Sequence, residues 1–324
     1  MSRFKDLKIN VVSVEDRLIA LEEAIDKRVS NTVSFGIEYL DKAAQGIYPT
    51  DLVVVSAPTG AGKSELVSTI AMNAARSGNK VCMFALEADI SEIEGRIWFK
   101  KASQHYMKYN SEPVTYHEFL QASYCGSFRR SLEAVRPELI SELKNFTTFY
   151  REKKFDITRF RQVFNSVAKT YDLFIIDHLH YFDLEGDRNE NREFGDIVKE
   201  IRDLSIFHSK PVVLVSHLRK KASGVTGMPT LDDLMGTSDI AKVATKVINL
   251  YPDQEGSDPS RGMFSTFIRV LKNRYNGAAC RYVGRTDFDT STNSYLPKGS
   301  VGYIDDEKKF RVINDRMSLP VWLR

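Results

Sequence analysis

Residues 52–66 read LVVVSAPTGAGKSEL, a run of apolar residues followed by a glycine-rich turn and the beginning of a helical pattern. The run LVVVSA is continuous and rich in β-branched residues, which is typical of a strand buried on both faces of a parallel sheet. The turn follows the phosphate-loop pattern G-x-x-x-x-G-K-[ST], with Ala57 in the place of the first glycine. The strand before this loop and the helix after it are the setting that the pattern requires, so the stretch predicts an α/β nucleotide-binding fold.

The residues of this loop have distinct expected parts in holding a nucleotide. Gly60 and Gly62 let the backbone curl so that its N–H groups point at phosphate oxygens. Lys63 would neutralise the β and γ phosphates, and Ser64 would be a ligand of Mg²⁺. With ATP and Mg²⁺ as the expected cofactors, the predicted nucleotide-binding residues are Ala57, Pro58, Thr59, Gly60, Ala61, Gly62, Lys63 and Ser64.

The same succession of strand and helix continues along the chain. Four further apolar runs predict strands, namely KVCMFAL at 80–86, LFIIDHL at 173–179, PVVLVSHL at 211–218 and KVINLY at 246–251. Helical patterns separate these runs, so we expect a mostly parallel central sheet. From residue 264 onward, longer alternating runs and a turn at Asn276–Gly277 predict a C-terminal antiparallel hairpin that completes the sheet.

An amphipathic helix is predicted over residues 13–28, before the first strand. Ser13 followed by Asp16 resembles a capping box, and one face of the helix collects Val14, Leu18, Leu21 and Ile25. The apolar face docks either on its own domain or on a neighbouring copy of the chain.

Two acidic residues follow apolar strands and are candidates for chemistry at the nucleotide. Asp177 ends the run LFIID, where a carboxylate receives a water ligand of Mg²⁺ at the carboxyl edge of a parallel sheet. Glu87 closes the run VCMFAL and would orient and deprotonate the attacking water. The alternatives are an aspartate that caps the next turn and a solvated glutamate at a strand end.

Composition limits the classes of protein to consider. A chain of 324 residues with 42% hydrophobic residues buries one large core or two modest ones. Because the net charge is only +3, any nucleic-acid partner must meet a local basic stripe. The cysteines, Cys82, Cys125 and Cys280, are too far apart for a disulfide framework or a cysteine-based zinc site, and a reducing cytoplasm fits them best. We expect neither secretion nor a membrane span.

The order of six motifs resembles that of the DnaB-like replicative helicases, with the closest wording in the phage primase-helicase and Twinkle branch. The motifs are the phosphate loop, FALEADISEIEGRI, FIIDHLHYF, VVLVSHLRK, PTLDDLMGTSDI and VLKNRYNG. The likeness implies a RecA-like ATPase domain over residues 33–298. It also implies a segment at 1–32 whose helix packs on the adjacent subunit, and residues 299–324 are expected to form a tail.

The resemblance adds roles for individual residues. It implies that Glu87 is the catalytic base and that His217 senses the γ-phosphate. Lys272 and Arg274 match the family's finger residues, which enter the site of the neighbouring subunit, so the likeness implies a hexameric ring. A structural role for His217, and two strand residues facing solvent, are the alternatives.

Two loops are expected to face the channel of such a ring and to track single-stranded DNA. The loop after His217 carries Arg219, Lys220 and Lys221 beside small residues, which suits contacts to a phosphate backbone. The loop after Asp177 offers Arg188 and Arg192 among acidic residues. An ordinary solvated charge run is the alternative for both loops.

Other features depart from the family, and other functions stay open. Met235 stands where arginine is usual and Ser238 where glycine is usual, which puts the coupling of hydrolysis to DNA in doubt. About 30 residues precede the core, so we expect a phage or plasmid helicase with separate primase or loader proteins. The rival functions are a KaiC-like regulatory ATPase and a RecA-like recombination or repair ATPase that forms filaments.

Overall fold

The structure is a computed structural model that describes residues 13–151, 153–184, 189–218, 228–234, 238–296 and 299–324. Its helices are α1 (Val14–Ser30), α2 (Glu38–Ala43), α3 (Lys63–Arg76), α4 (Arg96–Tyr106), α5 (Tyr116–Leu120), α6 (Gly126–Leu143), α7 (Ile157–Val167), α8 (Glu190–His208) and α9 (Ser238–Val243). Its strands are β1 (Leu52–Ala57), β2 (Val81–Ala85), β3 (Phe146–Tyr150), β4 (Leu173–Asp177), β5 (Val212–His217), β6 (Lys246–Asp258), β7 (Met263–Asn273), β8 (Val283–Asp289), β9 (Ser294–Tyr295), β10 (Ser300–Ile304) and β11 (Phe310–Val312).

The strands form one mixed sheet with β1 near its middle. The strand order is β11-β10-β8-β7-β6-β1-β5-β4-β2-β3, and β9 pairs with β8. The pairs from β6 through β1, β5, β4 and β2 to β3 are all parallel, whereas β7, β8, β10 and β11 pair antiparallel. The predicted parallel sheet with an antiparallel C-terminal part is therefore confirmed.

The C-terminal part differs from the predicted hairpin in two details. The connection between β7 and β8 runs over residues 274–282 and contains a 3-10 turn at Gly277–Arg281, so it is longer than a tight turn at Asn276–Gly277. The sheet also continues beyond the hairpin, because residues 300–304 and 310–312 of the expected tail form its last two strands.

The core lies on both faces of the sheet, which explains the unbroken apolar run of β1. Val53 and Val55 face one cluster of buried side chains, whereas Leu52 and Val54 face the other. A third cluster holds together α4, α5 and α6 and contains Phe99, Tyr106 and Phe128. Tyr109, which comes shortly after α4 in the chain, is 78% exposed and lies outside this cluster.

A buried ion pair lies where β1 and β6 begin. Nζ of Lys246 is 2.6 Å from a carboxylate oxygen of Asp51 and donates a second 2.6 Å hydrogen bond to the Gly46 carbonyl. Neither charged side chain is exposed to solvent. The Lys246 ammonium also lies 4.0 Å from the ring centre of Tyr48.

The chain divides into two compact units between Thr32 and Val33. In the first unit α1 begins as predicted, because the Ser13 hydroxyl accepts a 3.0 Å hydrogen bond from the backbone N–H of Asp16. Each of its apolar residues Val14, Leu18, Leu21 and Ile25 is about half exposed or more. Within the described residues, none of the helices has both the length and the apolar character that crossing a membrane requires.

Candidate nucleotide site

The predicted phosphate loop joins the end of β1 to the first turn of α3. Gly60 and Gly62 have φ angles of 78° and 84°, in the left-handed region that favours glycine. Ser64 lies in the first turn of the helix, half-buried, while Thr59 and Gly60 are exposed. The loop therefore leaves an open concave backbone at the N-terminus of a fourteen-residue helix, which is a favourable place for phosphate.

Lys63 is held under this loop. Its Nζ donates hydrogen bonds of 3.2 Å to the carbonyls of Ala57 and Pro58, and the residue is 8% exposed. Burial lowers the pKa of Lys63, and the nearby carboxylates of Asp177 and Glu87 oppose that shift. The ammonium is thus placed against the inner side of the loop without a carboxylate bound to it directly.

Asp177 and Glu87 lie next to each other at the carboxyl edge of the sheet. Asp177 pairs with Ala85, and its carbonyl accepts the backbone N–H groups of Leu86, at 2.7 Å, and Glu87, at 3.4 Å. Asp177 is 1% exposed, and burial raises its pKa to about 6, an increase that Ser64 opposes. Its two carboxylate oxygens accept no hydrogen bond among the described residues, so the side chain suits a cation.

Glu87 differs from Asp177 in being accessible. Its side chain is 44% exposed, and one of its carboxylate oxygens lies 2.9 Å from Nε2 of His178 without forming a hydrogen bond with it. An exposed carboxylate beside a buried one gives this edge two acids in different surroundings, as an acid–base site requires.

His217 ends β5 beside the phosphate loop, since it pairs with Ala57. Its ring centre is 4.2 Å from that of His178 and 5.3 Å from that of His180. Burial lowers the pKa of His178 to about 3 and of His180 to about 4, and it lowers the pKa of His217 as well. All three imidazoles are therefore neutral at pH 7.

Tyr295 of β9 contacts the phosphate loop, although it is distant from the loop in sequence. Its hydroxyl donates a 3.4 Å hydrogen bond to the carbonyl of Gly62, and a Cβ atom on that glycine would come within 2.6 Å of the same hydroxyl. Burial raises the pKa of Tyr295. The second glycine of the loop is therefore required both by its φ angle and by this contact.

Lys272 and Arg274 lie towards the amino edge of the parallel strands, opposite the carboxyl edge that carries the phosphate loop. Lys272 pairs with Val247, and the backbone N–H of Arg274 donates to Thr245, which in turn donates to Leu52 at the beginning of β1. Nζ of Lys272 donates to the Ala241 carbonyl at 2.6 Å, and Arg274 reaches the Lys242 carbonyl at 3.4 Å, so both side chains bind the end of α9. Neither side chain lies near its own phosphate loop.

Of the predicted DNA contacts, Arg192 lies exposed in the first turn of α8. Arg188, Arg219, Lys220 and Lys221 lie outside the described residues, as does Met235.

The sequence interpretation missed His178, His180 and Tyr295 as parts of this site. The two histidines lie one and three positions after Asp177, so their place at the strand end was a usable signal. Tyr295 had no such signal, because 233 positions separate it from Gly62 and only the sheet order brings them together.

Known proteins resemble this chain in sequence and in fold. The model of the DnaB-like helicase C terminal domain family matches residues 32–283. A probable replicative DNA helicase of Trieres chinensis is 23% identical over 241 residues, or 73% of this chain and 51% of that protein. The replicative DNA helicase DnaB of Mycoplasma genitalium is 24% identical over 314 residues, or 90% of this chain and 63% of that protein. The chain thus spans about half to just under two thirds of the length of these relatives.

Two solved structures share the fold. One is an ATPase domain, which has a TM-score of 0.70 at 16% identity, with 88% of this chain and 98% of that chain covered. The other is a DnaB-like replicative helicase studied with its primase interactions, which has the same TM-score and identity, with 88% and 68% covered.

Proposed function

The chain belongs to the DnaB-like helicase C-terminal domain family, and on this premise we propose that it is an ATP-driven replicative DNA helicase. The observation that carries the proposal is the meeting of Lys63, Asp177, Glu87 and His217 around one phosphate loop. A strand-end base, a buried cation ligand and a sensor beside the loop together favour hydrolysis over mere nucleotide binding.

ATP is held by the backbone of residues 57–64 and by Lys63, whose ammonium balances the charge of the β and γ phosphates. Ser64 and Asp177 are the residues that would hold Mg²⁺, and the unpartnered oxygens of Asp177 support this assignment. When bound, Mg²⁺ would supply further neutralisation of the phosphate charge.

Glu87 orients the attacking water and accepts its proton as the terminal phosphate is released, because its carboxylate is accessible at the mouth of the loop. His217 pairs with the first residue of the loop and is followed directly by residues 218–230. Loss of the γ-phosphate next to His217 would therefore act on the segment that follows it. The expected DNA contacts in this segment are Arg219, Lys220 and Lys221.

Lys272 and Arg274 act in the site of a neighbouring subunit, as the positions of these residues at the other edge of the sheet support. A guanidinium that enters across an interface stabilises the charge of the transferring phosphate only after assembly. A ring of six subunits satisfies this requirement for every site. The half-exposed apolar face of α1 packs on the next copy of the chain.

The DNA partner is a single strand in the ring channel, bound through its backbone by Arg188, Arg192 and the basic run after His217. Separate primase and loader proteins, and action in the cytoplasm of a bacterial host, complete the proposal.

The test compares the ATPase rate of the purified chain with and without single-stranded DNA, with Lys63→Ala as the blank. We expect DNA to stimulate hydrolysis and the blank to be inactive. Robust hydrolysis that ignores DNA would contradict the helicase and favour a KaiC-like regulatory ATPase. A RecA-like enzyme would instead be recognised by filaments on the DNA in electron micrographs.

A further inference from the structure

Three histidines meet at the carboxyl edge of the sheet, next to the phosphate loop but outside it. His178 and His180 follow β4, and His217 ends β5. One ligand nitrogen from each lies within 4.8 Å of the others. In the part of the chain that the structure describes, this is the one group of three histidine, cysteine or acidic side chains close enough to hold a metal ion.

The nitrogens of this cluster are poorly satisfied by the protein itself. Neither ring nitrogen of His180 has a hydrogen-bond partner, and Nδ1 of His178 accepts only a 3.2 Å bond from the backbone N–H of His180. Buried polar atoms without partners are uncommon in folded proteins and call for a ligand. His178 is only 2% exposed, so bulk solvent does not supply one.

We propose that His178, His180 and His217 form a binding site for a first-row transition metal ion of the zinc class. Three imidazoles and one water are a known ligand set for Zn²⁺, and imidazole favours Zn²⁺ over Mg²⁺. Tetrahedral bonds of about 2.0–2.1 Å need ligand nitrogens roughly 3.4 Å apart, so modest ring rotations close the cluster around the ion.

The contacts of His178 assign Nδ1 as its ligand atom. Because Nδ1 accepts a hydrogen bond, the proton of the neutral ring lies on Nε2, which is 2.9 Å from the Glu87 carboxylate. A metal at Nδ1 replaces the weak backbone bond, and a modest rotation of the ring would then align Nε2–H with the Glu87 carboxylate. This is the carboxylate–histidine–metal arrangement that orients ligands in many zinc sites.

Metal binding at this site inhibits ATP hydrolysis, and this part of the inference rests on the proposed function. The ion occupies the lone pair of His217, which is the proposed sensor. A metal ion in this cluster is therefore a negative regulator of the adjoining site.

The test is a titration of the untagged chain with Co²⁺ and then Zn²⁺, without nucleotide or DNA and with millimolar Mg²⁺ present. We expect one Co²⁺ per chain with the intense visible absorption of four-coordinate cobalt, and its loss as Zn²⁺ displaces it. The change His180→Gln, and separately His217→Gln, lowers the metal affinity by roughly 100-fold or more, beyond the effect of outer contacts. The matched control, His208→Gln at the far end of α8, leaves the affinity unchanged.

Glu87→Gln tests the ligand atom. It lowers the affinity by roughly 10- to 100-fold without abolishing binding; unchanged affinity overturns the assignment of Nδ1. Circular dichroism and melting curves establish that each variant is folded. Binding that survives both histidine changes, or a sulfur-to-cobalt charge-transfer band, overturns the site. Because no ATP or DNA is present, these results are independent of whether the chain is a helicase.

Discussion

At the scale of single residues, the site places charged groups where they are costly to the fold. Asp177 is buried with both carboxylate oxygens unpartnered, next to a lysine that bonds to carbonyls instead. The carboxylate is therefore kept for a ligand at the expense of the stability of the ligand-free protein.

Replacing Asp177 by asparagine removes this cost. Burial raises the pKa of Asp177 from 3.8 to about 6, so we expect Asp177→Asn to increase the free energy of unfolding by roughly 3 kcal/mol at neutral pH. Thermal unfolding without nucleotide or Mg²⁺ measures the gain, and the same variant should have lost ATP hydrolysis. Asp306→Asn, at an exposed turn, is the control and should leave the melting temperature unchanged. A lower melting temperature for Asp177→Asn would show that its carboxylate is paired.

The site residues that the sequence predicted are those whose chemistry follows from local order. A glycine-rich loop between a strand and a helix defines Lys63 and Ser64, and a strand that ends in an acid defines Asp177. The setting of His178 and His180 depends instead on a contact that is distant in sequence, since both rings contact His217 at the end of β5.

At the scale of elements, strands buried on both faces were predictable, whereas the short and only partly buried strands β3, β10 and β11 were not. β1, β2, β4 and β5 are buried on both faces and therefore read as continuous apolar runs. β3 has β2 as its one partner, and all five of its residues are only half-buried, so FTTFY carries no distinct pattern. β10 and β11 have equally weak sequence patterns; β10 pairs with β8, and β11 pairs with β10.

Breaking the ion pair where β1 and β6 begin, by removing one of its partners, should strongly lower the stability of the protein. Lys246→Met leaves the Asp51 carboxylate buried without its cation, which costs about 3–5 kcal/mol in the free energy of unfolding. Urea denaturation measures the loss. Adding Asp51→Asn should recover much of it, because the amide oxygen still accepts the backbone N–H of Tyr48. If the double variant is less stable than the single one, uncompensated charge is not the cause.

The N-terminus of α6 makes one thiol more acidic than the others. Hydrogen bonding with Ser127 and then Tyr106 lowers the pKa of Cys125 to about 7, whereas burial raises the pKa of Cys82 and Cys280. Alkylation of Cys125 should therefore rise with pH around a midpoint near 7 while the other two thiols react slowly. Peptide mass spectrometry after brief alkylation measures the three rates. Ser127→Ala should move the midpoint upward, and a parent midpoint of about 8.5 would contradict the interpretation.

At the scale of the whole molecule, the sheet separates the phosphate loop from the residue that we propose as the finger. The phosphate loop lies at the carboxyl edge, and Arg274 lies beside the residues that begin β1. The sequence predicted both parts from their motifs, but only the register of β6 and β7 places them at opposite edges.

Mixing two inactive variants tests whether Arg274 acts on the phosphate loop of a neighbouring subunit. Arg274→Ala should lower hydrolysis in the assembled protein by roughly 10³-fold, and Lys63→Ala should abolish it. In an equal mixture, about a quarter of the interfaces join an intact loop to an intact finger, so part of the activity should return. Parent protein diluted with either variant is the control for exchange of subunits. If the mixture stays inactive while the subunits exchange, Arg274 does not act across an interface.

With the proposed role of Arg274, the opposite placement of loop and finger would also make each chain a directional unit, with a donor end and an acceptor end. Two such units cannot satisfy each other face to face, because a symmetric pair would bring two loops or two fingers together. The chains would therefore join head to tail, with the finger of one at the phosphate loop of the next. An open row of such chains would hold one complete nucleotide site fewer than it has subunits. Closing the row supplies the missing site, so the last subunit to enter would contribute two interfaces, whereas each subunit added before it contributed one.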